Sequence, residues 1–241
     1  MGKMIEQKIK EIKDFCINNS DNTIVNKYSK YFKEGYDGYG VDDKKLIAQR
    51  DKWIEDWKDE MSIADYLNLG DKLVASGKFE EIAFAIHFIS FQRPHYSFEV
   101  FQRIGSWFDI GIQNWGSTDV LCMLVLANFI KDGVIEINQL EEWTKSSSEW
   151  KRRSVSVTLA QIIKSDFELK PILSAIEPLM LDKSVYVQKG LGSLLRGLWK
   201  IHQDETETFL LKWKNNCGRL IISYATEKMD KENKKRFKKY K

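Results

Sequence analysis

VLCMLVLANFI, residues 120–130, is the longest apolar run in the chain. At eleven residues it is about half the roughly 20 that a membrane-spanning helix needs. It offers no polar face, so a helix made from it must be covered on several sides. The stretch IAFAIHFI, residues 82–89, reads the same way. Two such inner helices require others stacked around them, and the rest of the chain supplies these. Ile5, Ile9, Ile12, Phe15 and Cys16 form one stripe at spacings of three and four with lysines and glutamates between, which predicts a helix over 3–18. The same periodicity predicts helices over 23–33, 43–58, 62–76, 79–92, 97–110 and 118–132. It continues over 137–146, 149–164, 168–180, 184–202, 205–215 and 219–229. Gly77 and Gly133 fall where C-caps belong, and Asp182 where an N-cap belongs. Ser146 and Glu149 have capping-box spacing, with the capping serine open among 146–148. Residues 154–159 alternate like a strand, but their flanks are helical and no partner strand is visible, so they are read as helix.

The 241 residues are 43% hydrophobic and 30% charged, enough for a sizeable core under a charged surface and unlike a disordered or fibrous chain. Three prolines and 14 glycines are too few for a sandwich or barrel built from many tight turns. About twelve helices joined by short polar links, with no fixed-period repeat, predict an all-α fold. The expected architecture is an α-solenoid of stacked antiparallel helical pairs of the HEAT type, continuous over residues 1–241. The net charge is +3, yet residues 227–241 alone carry +5, leaving the preceding 226 at −2. The basic excess is thus a lysine-rich tail, expected to be a solvated helix end. Cys16, Cys122 and Cys217 lie about a hundred residues apart, with neither disulfide nor zinc spacing. No signal-peptide pattern opens the sequence, so a cytoplasmic monomer is expected.

Glycine-rich phosphate loops, HExxH and nucleophile-elbow motifs are absent, and His87, His95 and His202 share no metal-ligand spacing. His87 reads as a core histidine. Chemistry must come from carboxylates, aromatics and arginines, and four places depart from plain amphipathic helix. YFKEGYDGYGV, residues 31–41, is a shaped loop between helices, or a structural turn whose glycines take positive φ. WGSTD, residues 115–119, lets Ser117 or Thr118 cap the following helix and puts Asp119 in its first turn, where the helix dipole favours an ionised carboxylate. The plain alternative is an ordinary first-turn acid beside a packed tryptophan. EWKRR, residues 149–153, opens an apolar helix with Arg152 and Arg153 about 100° apart, for phosphate contact or internal pairing. VQKGLGSLLR, residues 187–196, carries two glycines inside a helix, which are costly unless something packs closely on the backbone.

These four elements, in this order, resemble the DNA alkylation repair family, the AlkD-like HEAT-repeat alkylpurine DNA glycosylases, over about residues 23–228. The resemblance implies a right-handed superhelix whose concave, basic face holds double-stranded DNA. It implies hydrolysis of the N-glycosidic bond of cationic N3- or N7-alkylated purines, without cofactor or metal, by a protein that is nucleoid-associated when bound. Trp115 and Asp119 match the family's catalytic aromatic and carboxylate, Arg153 its phosphate-contacting arginine, and Tyr31 an aromatic beside the lesion. Arg152 and Lys189 go with them as DNA contacts. Ser193 stands where the family has a tryptophan packed on the lesion's backbone, so one wall of the implied cleft is missing. Trp199, six residues on, points to another face. Two other readings remain: a non-catalytic relative that binds damaged or branched DNA, and a protein–protein scaffold.

Overall fold

The computed structural model describes residues 2–33, 35–165 and 167–238. Glu34 of the tyrosine–glycine loop and residues 239–241 of the tail lie outside the described residues. Among the described residues the regular elements are all helical, as the periodicity predicts: α1 (Gly2–Asn18), α2 (Asn22–Tyr28), α3 (Asp43–Trp57), α4 (Ile63–Ala75), α5 (Phe79–Ser90), α6 (Phe98–Gly105), α7 (Trp107–Ile110) and α8 (Trp115–Leu121) come first. Then follow α9 (Ala127–Lys131), α10 (Glu149–Ala160), α11 (Leu169–Ile176), α12 (Val185–Trp199), α13 (Gln203–Trp213), α14 (Arg219–Ala225) and α15 (Lys231–Arg236). Short 3-10 turns span Arg93–His95, Ile137–Lys145 and Glu177–Leu181. None of the helices is long and apolar enough to cross a membrane.

The chain divides into two compact units, Met1–Phe129 and Ile130–Lys241. In the first, α5 is the inner helix. Ile82, Phe84, Ala85, Ile86, Phe88 and Ile89 are buried, with α1, α3, α4 and α8 packed around them. A chain of rings runs through this core, with Phe84 in edge contact with Phe15 and Trp53 and stacked near Phe88. Residues 120–130 are helical but not one helix. α8 passes through a π turn at Cys122–Leu126 into α9, an extra residue per turn that hydrophobic spacing does not reveal.

In the second unit, α12 lies between α10 and α14, and its glycines explain how. A Cβ on Gly190 would sit 3.0 Å from Ser156 Oγ and 3.3 Å from the Arg153 guanidinium, both on α10. One on Gly192 would sit 2.6 Å from Tyr224 Cβ and 2.8 Å from the Ile221 carbonyl, on α14. Positions two apart face nearly opposite sides of a helix, so the pair thins α12 on both flanks. The strand-like alternation at 154–159 has a similar origin. Residues 153–159 of α10 are all buried, and Ser154 and Ser156 return their hydroxyls to the Lys151 and Arg153 carbonyls at 2.7 and 3.0 Å. With no solvent face, the helix has no need of a 3.6-residue polar stripe.

Gly77 and Gly133 take positive φ, at 72° and 68°. The cap of α12 differs from its sequence reading: it is Ser184 rather than Asp182, whose Oδ1 instead accepts the Ser184 N–H at 2.8 Å. Of the serines left open at 146–148, Ser148 caps α10. The basic tail forms α15 and is anchored: Met229 and Phe237 are buried and Arg236 donates to Glu207 at 2.5 Å.

Gly192→Ala should therefore cost about 1–3 kcal/mol through overpacking against α14. Gly77→Ala, with open space around its Cβ, should cost only the left-handed backbone strain, about 1–2 kcal/mol. Urea denaturation of the two variants measures both losses; no loss at Gly192→Ala would show that α12 and α14 can separate without penalty.

Candidate functional site

The loop at residues 35–41 is built around one carboxyl group. Glu80, 2% exposed, accepts the backbone N–H groups of Tyr39, Gly40 and Val41 at 2.9, 2.7 and 3.1 Å and the Tyr36 hydroxyl at 3.2 Å. Its buried neighbour Glu81 accepts the Tyr39 hydroxyl at 2.7 Å. Burial, together with these acids, pushes both phenols well above the usual tyrosine range, so they stay protonated and donate. Gly40 sits at φ 76°, and a Cβ there would meet the Asp21 carbonyl at 2.2 Å. These glycines are structural. The buried Cys16 thiol is likewise pushed up, by desolvation first and then Glu80 and Glu81, which excludes it as a thiolate nucleophile.

The pinned loop holds an aromatic wall. Phe32, buried, stacks on Trp115 with centroids 5.2 Å apart and planes 20° from parallel. Tyr36 and Phe79 close on Phe32 at 5.6 Å each. Offset ring pairs of this kind contribute about 0.5–1.5 kcal/mol beyond area burial. Gly116 makes room for the stack, since a Cβ there would lie 3.0 Å from the Phe32 ring. Beside this wall is a cavity of about 620 Å³, whose lining includes Tyr28, Tyr31, Phe32, Phe79, His87 and Trp115. Tyr31 stands at its rim, 63% exposed. His87 is kept neutral: desolvation, then the Arg50 charge, lowers its pKa to about 4. Arg50 Nη1 lies 3.4 Å from His87 Nδ1, and since arginine can only donate, the neutral ring carries its proton on Nε2.

Two predicted residues, Tyr31 and Trp115, thus line one cavity. Asp119 follows Trp115 by four residues, on the same face of α8, half-buried and outside the cavity lining. The cap of α8 differs from the sequence reading. Asn114 Oδ1 accepts the Ser117 N–H at 2.8 Å, while Ser117 and Thr118 are buried and Thr118 returns its hydroxyl to the Asn114 carbonyl. Asp119 is therefore beyond the first turn, where the helix dipole does little for it.

Arg152, Arg153, Lys189 and Ser193 belong to the second unit. Arg152 donates to Asp182 at 2.6 and 3.4 Å and to the Ser146 and Ser147 carbonyls at 2.8 and 3.0 Å. Arg153, 9% exposed, donates to the Tyr186 carbonyl at 2.6 Å. Both brace the start of α12 against α10. Lys189 and Ser193, half-buried and four apart, share a face of α12, with the Lys189 ammonium 5.9 Å from the Tyr186 ring. Trp199 is committed elsewhere, donating its indole N–H to Glu207 at 2.9 Å. Sequence reasoning missed Phe32 and Glu80 as the supports of this site. Two acids opening an otherwise apolar helix were the available signal for Glu80, and an asparagine directly before Trp115 was the signal for the cap.

The model of the family described as DNA alkylation repair enzyme matches residues 15–229. Among solved structures, a predicted DNA alkylation repair enzyme from Enterococcus faecalis superposes with a TM-score of 0.73 at 15% identity, covering 88% of this chain and 98% of that one. AlkD2 from Streptococcus mutans superposes with a TM-score of 0.59 at 21% identity, covering 77% and 90%. No curated protein matches the sequence.

Glu80→Ala should leave three buried loop N–H groups without their acceptor and cost about 3 kcal/mol or more, with loss of the Phe32–Trp115 stack seen as a change in tryptophan fluorescence. His87 titrates near 6.5 when unfolded and near 4 when folded, so only the unfolded chain takes up its proton between those values. Stability should then fall as pH drops from about 6.5 to about 4. His87→Gln should flatten that part of the curve, and an unchanged slope would place the acid sensitivity elsewhere.

Proposed function

The chain belongs to the DNA alkylation repair enzyme family, and on that premise we propose that it hydrolyses the N-glycosidic bond of cationic N3- or N7-alkylated purines in duplex DNA. The observation that supports this reading is that Tyr31 and Trp115 line one cavity, with Asp119 one helical turn beyond Trp115.

The chemistry asks little more of the protein. An alkylated purine is already positively charged and departs readily, so the barrier lies in the electron-poor sugar left behind. A carboxylate at Asp119 stabilises the developing oxocarbenium ion and orients the attacking water. The face of Trp115, fixed by Phe32, presents π density to the polarised sugar C–H groups. Tyr31, exposed at the rim, covers the nucleotide beside the lesion. On this reading Arg152 and Arg153 position α12, and Lys189 makes the phosphate contact that sets register.

A second reading, a relative that binds altered DNA without cutting the glycosidic bond, is favoured by Ser193. That side chain provides no aromatic wall on α12, and Trp199, tied to Glu207, does not supply one.

One assay separates the two. Wild-type protein should release 7-methylguanine from methylated duplex, and Asp119→Asn should lower that rate by about 10²-fold or more with duplex affinity nearly unchanged. Equal rates would remove Asp119 from the mechanism, and binding without release in the wild type would favour the second reading.

A further inference from the structure

The starts of α10, α12 and α14 lie along one edge of the second unit. Ser184, the cap of α12, donates to Glu149 at the start of α10, and the Tyr186 and Trp150 rings meet at 4.7 Å. Gln188 of α12 accepts the Leu220 N–H from α14 at 3.3 Å. Outward cations recur along this edge at α12 and α14: Lys183 and Lys189, then Arg219. Beyond Arg219 is a cavity of about 410 Å³ lined by Lys214, Arg219, Ile222, Ser223, Phe237 and Lys238. Three cations from three separate segments meet here, and among the described residues no carboxylate lines the cavity.

The fold assembles this cluster. Phe237 is buried, which anchors the tail so that the adjacent Lys238 lines the cavity with Arg219. Lys214 Nζ donates to the Arg236 carbonyl at 3.0 Å, tying the end of α13 to the tail. Nearby carboxylates are committed away from it: Glu207 to Trp199 and Arg236, Glu227 to Arg196 and Lys228, and Glu177 to Lys212. Like charges held together against their repulsion favour an anion between them. Arg219 and Lys238 are exposed and Ser223 adds an exposed hydroxyl, a donor set suited to phosphate oxygens.

We infer that this cavity holds a backbone phosphate of duplex DNA, so that the tail is part of the nucleic-acid interface. The cations along the starts of α12 and α14, Lys183, Lys189 and Arg219, lead to it, which favours a continuous polyanion over a separate small anion. The inference rests on the function proposed above.

The test is an Arg219→Ala/Lys238→Ala double variant that keeps Phe237 and Lys214. Its affinity for methylated duplex, measured against salt concentration, should fall, and the slope of log K against log salt should decrease by about one, at an unchanged thermal midpoint. An unchanged slope and affinity, with wild type binding duplex, would overturn this inference alone. Wild type that binds no duplex at low salt would overturn the proposed function and this site with it. Loss of binding to phosphatidylglycerol vesicles with duplex binding intact would replace DNA by a membrane surface and overturn the proposal. A lower thermal midpoint would call for Arg219→Gln/Lys238→Gln, judged by the same slope.

Discussion

Three consecutive backbone N–H groups, from Tyr39, Gly40 and Val41, converge on the buried carboxyl group of Glu80. An irregular loop carries polar backbone that cannot be buried without partners, and helices offer none because their own groups are already paired. One acid at the start of an apolar helix solves this. It lets the loop lie against α5, which fixes Tyr36 and, through the ring cluster, Phe32 and Trp115. The cavity lies beside this wall. Gly40 is part of the same constraint, since only a residue without Cβ fits at 2.2 Å from the Asp21 carbonyl.

The second unit depends on a different constraint, the distance between neighbouring helices. Gly190 and Gly192 let α12 approach α10 and α14, and small hydroxyl residues on α10 accommodate it from the other side. Arg152 fastens the turn before α12 with bonds to Asp182 and to two carbonyls. A charged residue buried by such packing needs its partners nearby, which explains why both arginines spend donors inside the protein. The cations facing outward are then others, Lys189 and Arg219 among them.

Much of this was legible in the residues. The helical spacing placed most elements within a few positions, and the apolar run at 82–89 correctly announced the inner helix. The glycines at 77 and 133 announced helix ends. The four unusual stretches led to the right family, because their order reflects a shared fold. What was misplaced was local and specific. Asn114 caps α8 because the helix begins at Trp115, so Ser117 and Thr118 already lie inside it. Ser184 displaced Asp182 because the acid is held by Arg152, thirty residues away in sequence. The π turn at 122–126 left no trace in a run that is apolar on every side.

The sequence by itself determined that this chain is helical, which helices are covered all round, and which family pattern it carries. These follow from spacing along the chain, and spacing is a local property. Only the tertiary structure decided which carboxyl group pins the loop, which arginines are spent internally, and that the basic tail docks through Phe237 instead of trailing in solvent. Those outcomes are choices among partners 22 to 44 residues apart, and the free energy that settles them comes from desolvation and close packing, neither of which exists until the helices meet.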